Sequence, residues 1–434
     1  MDYFCHRLLV LIALSLGGYL EAFGQRVFSL DDCVRIALQQ SLNIRTVNNA
    51  IYSAQLAHDE VGRSALPQMK VEGKAMNAPN SDHFGYDPAV TDGGQFSAQV
   101  GVQELLFDGG ARSLRGDQVT VDIDRLSIEQ RRIKRDLKYR VTITFLDVLQ
   151  EQSEMTLEQQ RVDELANYLE LVNRLFHGGG VNYTDVLKTQ VSVENARVTL
   201  QKAVQAYVVA KISLAETMNM PDDTAFTITG AIETTDSVAV DSLLQHVLID
   251  SVSNLDLQIA NFAVRRSLFD VDIARTERLP SISLSGDVGI LSSGDNLRLP
   301  PDQRVSTFGY SVGISIENLL FNWGMTDLRV QQRQLDAENV RLSYEQQRRA
   351  FIADAGRLRT QIRSVVDQLH SLNRTLSVAE DNYTLTKAQY AGGGTTALEV
   401  LSAEQLLAET RLTELQTRAD LQRLMAKVEQ LYTH

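Results

Sequence analysis

Two short glycine-rich segments carry the residue types and spacings that most clearly indicate chemistry. Each has an aromatic residue, three consecutive glycines and, five residues after the last glycine, an acid followed by Val-Leu. The segments contain Phe176, Gly178, Gly179, Gly180 and Asp185, and then Tyr390, Gly392, Gly393, Gly394 and Glu399. Carboxylates that converge on a narrow opening attract cations, whereas an acid in the first turn of a helix offsets the positive helix terminus. Both roles remain open for Asp185 and Glu399.

The chain offers little for catalysis. Neither glycine run is followed by the Lys-Ser/Thr pair of a phosphate-binding loop, and no Gly-x-Ser-x-Gly motif occurs. The seven histidines include no i, i+4 pair, and two cysteines, Cys5 and Cys33, cannot make a four-cysteine zinc site. We therefore expect no enzyme activity, no cofactor and no metal site.

Composition narrows the class of protein further. The 434 residues are 44% hydrophobic, which is too apolar for a disordered chain, and only 7 are proline, which leaves long stretches free to be helical. The net charge of −13 argues against a nucleic-acid partner.

The N-terminus predicts export. Arg7 precedes the short apolar run Leu8–Leu16, and Ala22-Phe23-Gly24 is a small-x-small cleavage site. This layout is typical of a signal peptide, here residues 1–24. No later apolar stretch is long enough for a transmembrane helix.

The rest of the chain contains an internal duplication. Leu66-Pro67 recurs as Leu279-Pro280 at an offset of 213 residues. The segment 105–110 (LLFDGG) recurs at 319–324 (LLFNWG), and both glycine runs recur, at an offset of 214. The pattern predicts a first repeat over 25–219, a linker over 220–240 and a second repeat over 241–434.

Each repeat contains two segments in which apolar and polar residues alternate. They predict strands at about 66–78 and 94–107, and at about 279–291 and 305–321. Strands of this length with one apolar face suit a transmembrane β-barrel, although a soluble sheet packed on helices has the same pattern. Four strands cannot close a barrel, so a membrane-spanning form must oligomerise.

Long predicted helices precede and follow these strands in the sequence. The sequence predicts helices at 30–61, 111–176, 183–219, 241–276, 325–390 and 395–431, and the two longest would each reach roughly 100 Å. In the second repeat a stripe steps by four and three residues, which is the period of a coiled coil. The stripe is Leu358, Ile362, Val365, Leu369, Leu372, Leu376 and Ala379. The fold class is therefore α+β, with helical hairpin tips at about 176–184 and 390–398.

These motifs resemble those of the TolC-like outer-membrane efflux proteins. The resemblance covers about residues 28–431 and is carried by Leu-Leu-Phe-Asp-Gly-Gly at 105–110 and by the duplicated hairpin pattern. It implies an outer-membrane homotrimer in which four strands per protomer build one β-barrel and the helices build a coiled-coil barrel in the periplasm. It also implies a passive exit duct that works with a periplasmic adaptor and an inner-membrane pump.

The resemblance assigns roles to the hairpin residues. Asp185 and Tyr390 would form a linking pair of a periplasmic gate, and Glu399 would belong to a carboxylate ring. The sequence departs from the family pattern at Thr395, where a basic residue is usual, and at Ser402, where a second acid is usual. Phe176 and the two glycine runs would form the adaptor-docking tips.

A soluble periplasmic adaptor or scaffold is the alternative. Such a protein also has a long helical hairpin, but it usually has one, flanked by β-rich modules. The duplication favours the channel.

Overall fold

A computed structural model describes residues 26–77, 94–220, 225–232, 254–293 and 305–432. The predicted signal peptide, the loops between paired strands and much of the 220–240 linker lie outside these ranges. The chain divides into two compact units. The hairpin unit comprises residues up to Leu42, Lys134–Ile249 and Asp354–Thr433, and the sheet unit comprises Asn43–Ile133 and Asp250–Ala353.

Helices dominate the described part of the chain. The elements are β1 (Arg26–Phe28), α1 (Leu30–Gln40), α2 (Leu42–Arg63), β2 (Gln68–Asn77), β3 (Gly94–Phe107), α3 (Ala111–His177), α4 (Tyr183–Thr217), β4 (Phe226–Ile228), α5 (Leu255–Thr276), β5 (Ser281–Ser293), β6 (Val305–Glu317), α6 (Met325–Ala391) and α7 (Ala397–Tyr432). The two long predicted helices are confirmed as α3 and α6, each of 67 residues.

The first helix of the hairpin unit starts at a capping box. The Asp32 amide donates to Ser29 Oγ at 3.2 Å, and the Ser29 amide donates to the Asp32 carboxylate at 3.2 Å. The Ser29 hydroxyl also donates to the Asp32 carboxylate, at 2.7 Å. This bond, with further ones from Arg35 and from the Ser29 amide, holds the pKa of Asp32 down at about 2. Before the helix, β1 pairs in parallel with β4.

The prediction of one continuous helix over 30–61 was wrong. The chain leaves the helix at Ser41, whose backbone is extended (φ −63°, ψ 118°), and α2 begins at Leu42. At the break, the Gln40 carbonyl accepts a hydrogen bond at 3.0 Å from the side chain of Asn219, which is far away in the sequence.

The sheet unit contains a four-stranded antiparallel sheet in the order β2-β3-β5-β6. Its centre joins the two repeats, because β3 pairs with β5, and β2 and β6 form the two edges. Strand β6 ends at Glu317 rather than at the predicted residue 321. Its partner β5 begins opposite, at Ser281, directly after Pro280, which has no amide hydrogen to extend the ladder.

One face of the sheet is apolar and exposed in the single chain. Across the four strands the side chains form rows on this face, of which one is Met69, Val102, Gly286 and Val312 and the next is Val71, Val100, Val288 and Tyr310. The opposite face carries polar rows such as Lys70, Gly101, Asp287 and Ser311. The predicted alternation is therefore present in all four strands.

Apolar clusters hold the hairpin unit together. In the predicted stripe, Leu358 and Ile362 of α6 are buried against Leu421 and Val428 of α7. In the first repeat, Leu165 of α3 packs with α4 in the same way. Each repeat thus forms its own antiparallel helical pair.

Candidate functional site at the helical hairpins

Each helical pair turns back through its three glycines. The Gly180 amide donates to the Leu175 carbonyl at 2.8 Å, and the Gly394 amide donates to the Gln389 carbonyl at 2.9 Å. This is the hydrogen bond of a Schellman motif, which requires one residue in the left-handed region. Gly179 (φ 75°) and Gly393 (φ 76°) supply it. The space around both is open, so backbone conformation rather than crowding requires glycine there.

We expect Gly393→Ala to lower the free energy of unfolding by about 1 kcal/mol, because alanine is strained at positive φ. Equilibrium denaturation followed by circular dichroism measures the change. Gly392→Ala is the matched control, since Gly392 lies in the same turn without a positive φ and an added Cβ would meet only ordinary contacts. Equal losses in the two variants would contradict this assignment.

The core cluster beneath the turns draws side chains from both repeats. Tyr168 of α3 and Tyr390 of α6 meet edge to face, with ring centroids 5.6 Å apart. Val186 of α4 and Val400 of α7 belong to the same cluster, and Phe176 packs against it. The two hairpins of one chain therefore share one core.

The structure brings Asp185 and Tyr390 close together within this chain. Tyr390 is only 3% exposed, and Asp185, in the first turn of α4, is half-buried. Burial raises the pKa of Tyr390, and the Asp185 carboxylate raises it further. Burial, together with Tyr390 and Asp185, also raises the pKa of Tyr168. Both phenols therefore stay neutral around neutral pH.

The remaining predicted gate residues lie on the second turn and on α7. Glu399 and Ser402 are exposed, and Thr395 is half-buried. Glu399 sits in the first helical turn, where its amide donates to Thr396 Oγ1 at 3.3 Å. Its side chain is exposed in the single chain.

Sequence reasoning missed a buried acid beside these residues. Glu404 of α7 is 4% exposed, and Arg161 Nε of α3 donates to its carboxylate at 2.9 Å. Burial raises the pKa of Glu404, and the Arg161 guanidinium opposes that shift. Arg161 also lies 3.8 Å from buried Glu158. One signal was available, because Glu404 falls on the apolar stripe of α7 that includes Val400 and Leu407.

A second ion cluster links three helices of this unit. Arg411 of α7 lies 3.3 Å from Glu164 of α3 and 3.3 Å from Glu380 of α6. Through Arg411, α3 of the first repeat is linked to α6 and α7 of the second.

Two features are absent from the part of the chain that the structure describes. Among those residues no group of three or more His, Cys, Asp or Glu side chains is arranged to hold a metal ion. None of the helices within the same ranges has the length and apolar character needed to cross a bilayer.

The chain thus combines duplicated helical hairpins that share one core with an antiparallel sheet that joins both repeats. The family model for outer membrane efflux proteins matches residues 33–220 and 251–433, and the chain belongs to this family. The resemblance to TolC-like proteins is thereby confirmed.

Two relatives illustrate the family. The chain is 24% identical over 424 residues to the pyoverdine export outer membrane protein OpmQ of Pseudomonas aeruginosa, covering 94% of this chain and 85% of the relative. It is 26% identical over 238 residues to the cation efflux system protein CusC of Escherichia coli K12, covering 53% and 46%.

Solved structures show the same fold. A crystal structure of CusC superposes with a TM-score of 0.74 at 18% identity, covering 92% of this chain and 91% of the other. The outer membrane protein VceC of Vibrio cholerae gives a TM-score of 0.75 at 16% identity, covering 92% and 95%.

The family assignment fixes the general function. The chain is an outer-membrane efflux channel protein and not an enzyme, because its relatives are channels. It also selects the channel over the soluble adaptor. Members of this family work in tripartite systems with adaptors and pumps.

Proposed function

We propose that this chain forms the passive exit duct of a tripartite efflux or type I secretion system, as a homotrimer. A periplasmic adaptor and an inner-membrane pump are its partners, and its helices lie in the periplasm. The supporting observation is the sheet, with its exposed apolar face and open edges at β2 and β6. Backbone groups at a sheet edge must be paired in lipid, so three copies close one twelve-stranded barrel.

The duplication supports a ring in which each chain contacts the next. Leu328, Leu335 and Leu342 on α6 recur every seven residues and are all exposed. Their counterparts in the first repeat, Leu114, Val121 and Ile128, are buried or half-buried on the stretch of α3 that contacts α5. In the proposed trimer the α6 face is covered by another chain.

We also propose the domain organisation of the chain and the residues of its gate. Residues 1–24 are the signal peptide, 25–219 and 241–434 are the two repeats, and 220–240 is the linker at the equator. The gate consists of Asp185, Tyr390, Thr395, Glu399 and Ser402. The adaptor docks at Phe176 and at the two glycine runs, 178–180 and 392–394.

Conductance in planar bilayers tests the duct and its gate. We expect the trimer purified from outer membranes in detergent to conduct with a preference for cations, because three copies of Glu399 face one axis. Glu399→Gln should weaken that preference. Glu409→Gln is the matched control, as an exposed acid further along the same helix.

The possible results distinguish a failure of the proposed duct from a failure of the proposed gate. A water-soluble monomer that does not conduct would refute the duct. A conducting trimer whose ion preference is the same in Glu399→Gln and in the wild type would refute the carboxylate ring alone.

A further inference from the structure

The junction between strand and helix occurs twice in the sheet unit with the same geometry. In the first repeat Gly109 and Gly110 have φ of 70° and 89°, and in the second Trp323 and Gly324 have φ of 57° and 78°. The helix start is also duplicated, since the Leu114 and Leu328 amides donate to the carbonyls of Gly110 and Gly324, both at 3.1 Å. Trp323 is thus the structural counterpart of Gly109.

The segment that faces this junction is duplicated as well. The Leu279 amide donates to the Thr276 carbonyl at 2.9 Å, and the Leu66 amide donates to the Arg63 carbonyl at 2.9 Å. Each leucine precedes a proline and a strand, β5 or β2. Leu66 is therefore the counterpart of Leu279.

Only one of the two equivalent contacts is made within the chain. Gly109 packs on Leu279 so tightly that a Cβ on Gly109 would lie 2.8 Å from the Leu279 Cβ and 3.1 Å from the Thr276 carbonyl oxygen. The counterparts are more open, because Trp323 is 86% exposed where Gly109 is half-buried, and Leu66 is 60% exposed where Leu279 is 50% exposed. Trp323 is the single tryptophan of the chain.

A tryptophan is the costlier choice at this position. A bulky residue is strained in the left-handed region, and the equivalent turn uses glycine there. Within the described chain its ring contacts Phe321, at 4.9 Å between centroids, and otherwise faces outward. The strained side chain therefore serves a contact outside its own protomer.

We propose that Trp323 packs on Leu66 of the next copy of this chain and sets the spacing at the protomer boundary. The inference rests on the homotrimer of the proposed function. At the boundary between protomers, the two segments cannot approach as closely as Gly109 and Leu279 do within the chain, because that distance leaves no room for a side chain at position 323. The neighbour stands further away, and the indole fills the gap. Protein is favoured over lipid as the occupant because Gly109, the in-chain counterpart of Trp323, packs on Leu279 and Thr276.

The fluorescence of the single tryptophan tests this directly in the full-length trimer reconstituted in lipid. We expect blue-shifted emission that is protected from acrylamide. Leu66→Ala should shift the emission to longer wavelength and increase acrylamide quenching several-fold. Leu279→Ala is the matched control and should leave the emission unchanged. An unchanged emission in Leu66→Ala, or strong quenching by brominated lipid, would overturn the proposal in favour of a lipid contact.

Chemical cross-linking gives an independent readout. In a Cys33→Ala background, Leu66→Cys with Trp323→Cys should give covalent dimers and trimers when outer membranes are treated with a short bismaleimide. A bismaleimide is used because an indole between the two backbones holds their Cα atoms further apart than the limit of about 7 Å for a direct disulfide. Leu279→Cys with Trp323→Cys should give none. A conducting trimer without cross-links would overturn the proposal and leave the duct standing, whereas the absence of any trimer would overturn both.

Discussion

Arg161→Ala is expected to lower the free energy of unfolding by about 3–5 kcal/mol, the range for breaking one partner out of a buried ion pair. The loss follows from what remains, because Glu404 and Glu158 are both buried and would keep their charges without a cation beside them. Denaturation of the detergent-solubilised protein, followed by circular dichroism, measures the change.

An exposed ion pair serves as a control that distinguishes the effect of burial from the effect of charge. Arg197 and Glu194 are 2.8 Å apart on α4, and both are exposed. Arg197→Ala should therefore cost less than about 1 kcal/mol. If Arg161→Ala cost no more than Arg197→Ala, the buried pair would have no special role. Arg161→Met combined with Glu404→Leu should recover part of the loss, since it removes one buried acid together with the arginine.

The stability of Arg161→Ala should depend on pH, because its cause is a buried carboxylate that has lost its cation. Burial already raises the pKa of Glu404 above its ordinary 4.5, and loss of Arg161 raises it further. A carboxyl with a raised pKa in the folded state binds protons more tightly when folded. Stability is then gained as pH falls through the folded pKa and is complete below the unfolded value. The deficit of Arg161→Ala should therefore shrink as the pH falls toward 4.5, the ordinary pKa of a glutamate.

Leu335→Glu is expected to abolish the trimer. Leu335 is 67% exposed in the single chain, whereas its counterpart Val121 is 4% exposed, and the proposed ring covers Leu335 with a neighbouring chain. A carboxylate at that place would be buried without a partner, in three copies at once, at a cost of several kcal/mol per assembly. Mass measurement of the detergent complex reports the oligomer.

Gln334→Glu controls for the added charge. Gln334 is adjacent and exposed, and its counterpart Thr120 is exposed too, so this position lies outside the seam. We expect Gln334→Glu to remain trimeric. A trimeric Leu335→Glu variant would show that the leucine row on α6 faces something other than another chain.

The long helices could be predicted because their signals are local. The absence of proline and the period of the apolar stripe fixed α3 and α6, and the glycine runs fixed their ends. The break at Ser41 could not be predicted in this way, because serine is compatible with a helix. The contact at the break is to Asn219, which is distant in sequence and reaches the Gln40 carbonyl only in the folded chain.

The hairpin residues illustrate the same limit. Their motifs located the turns, yet sequence alone could not show that Tyr390 is buried against Tyr168. Acids are expected on surfaces, so Glu404 was overlooked although it lies on an apolar stripe. The alignment of the repeats does place Trp323 opposite Gly109. Only the backbone shows that both residues adopt the left-handed conformation.

The order of strands in the sheet has a consequence for biosynthesis. Strands β2 and β3 are neighbours in sequence, as are β5 and β6, so each ribbon forms from local contacts. The ladder between β3 and β5 joins segments separated by α3, α4, β4 and α5. Pairings at such sequence distance form slowly, and this one cannot form until the second repeat has been made. The first ribbon therefore waits with an unsatisfied edge, which makes this the stage at which a holding chaperone is most needed.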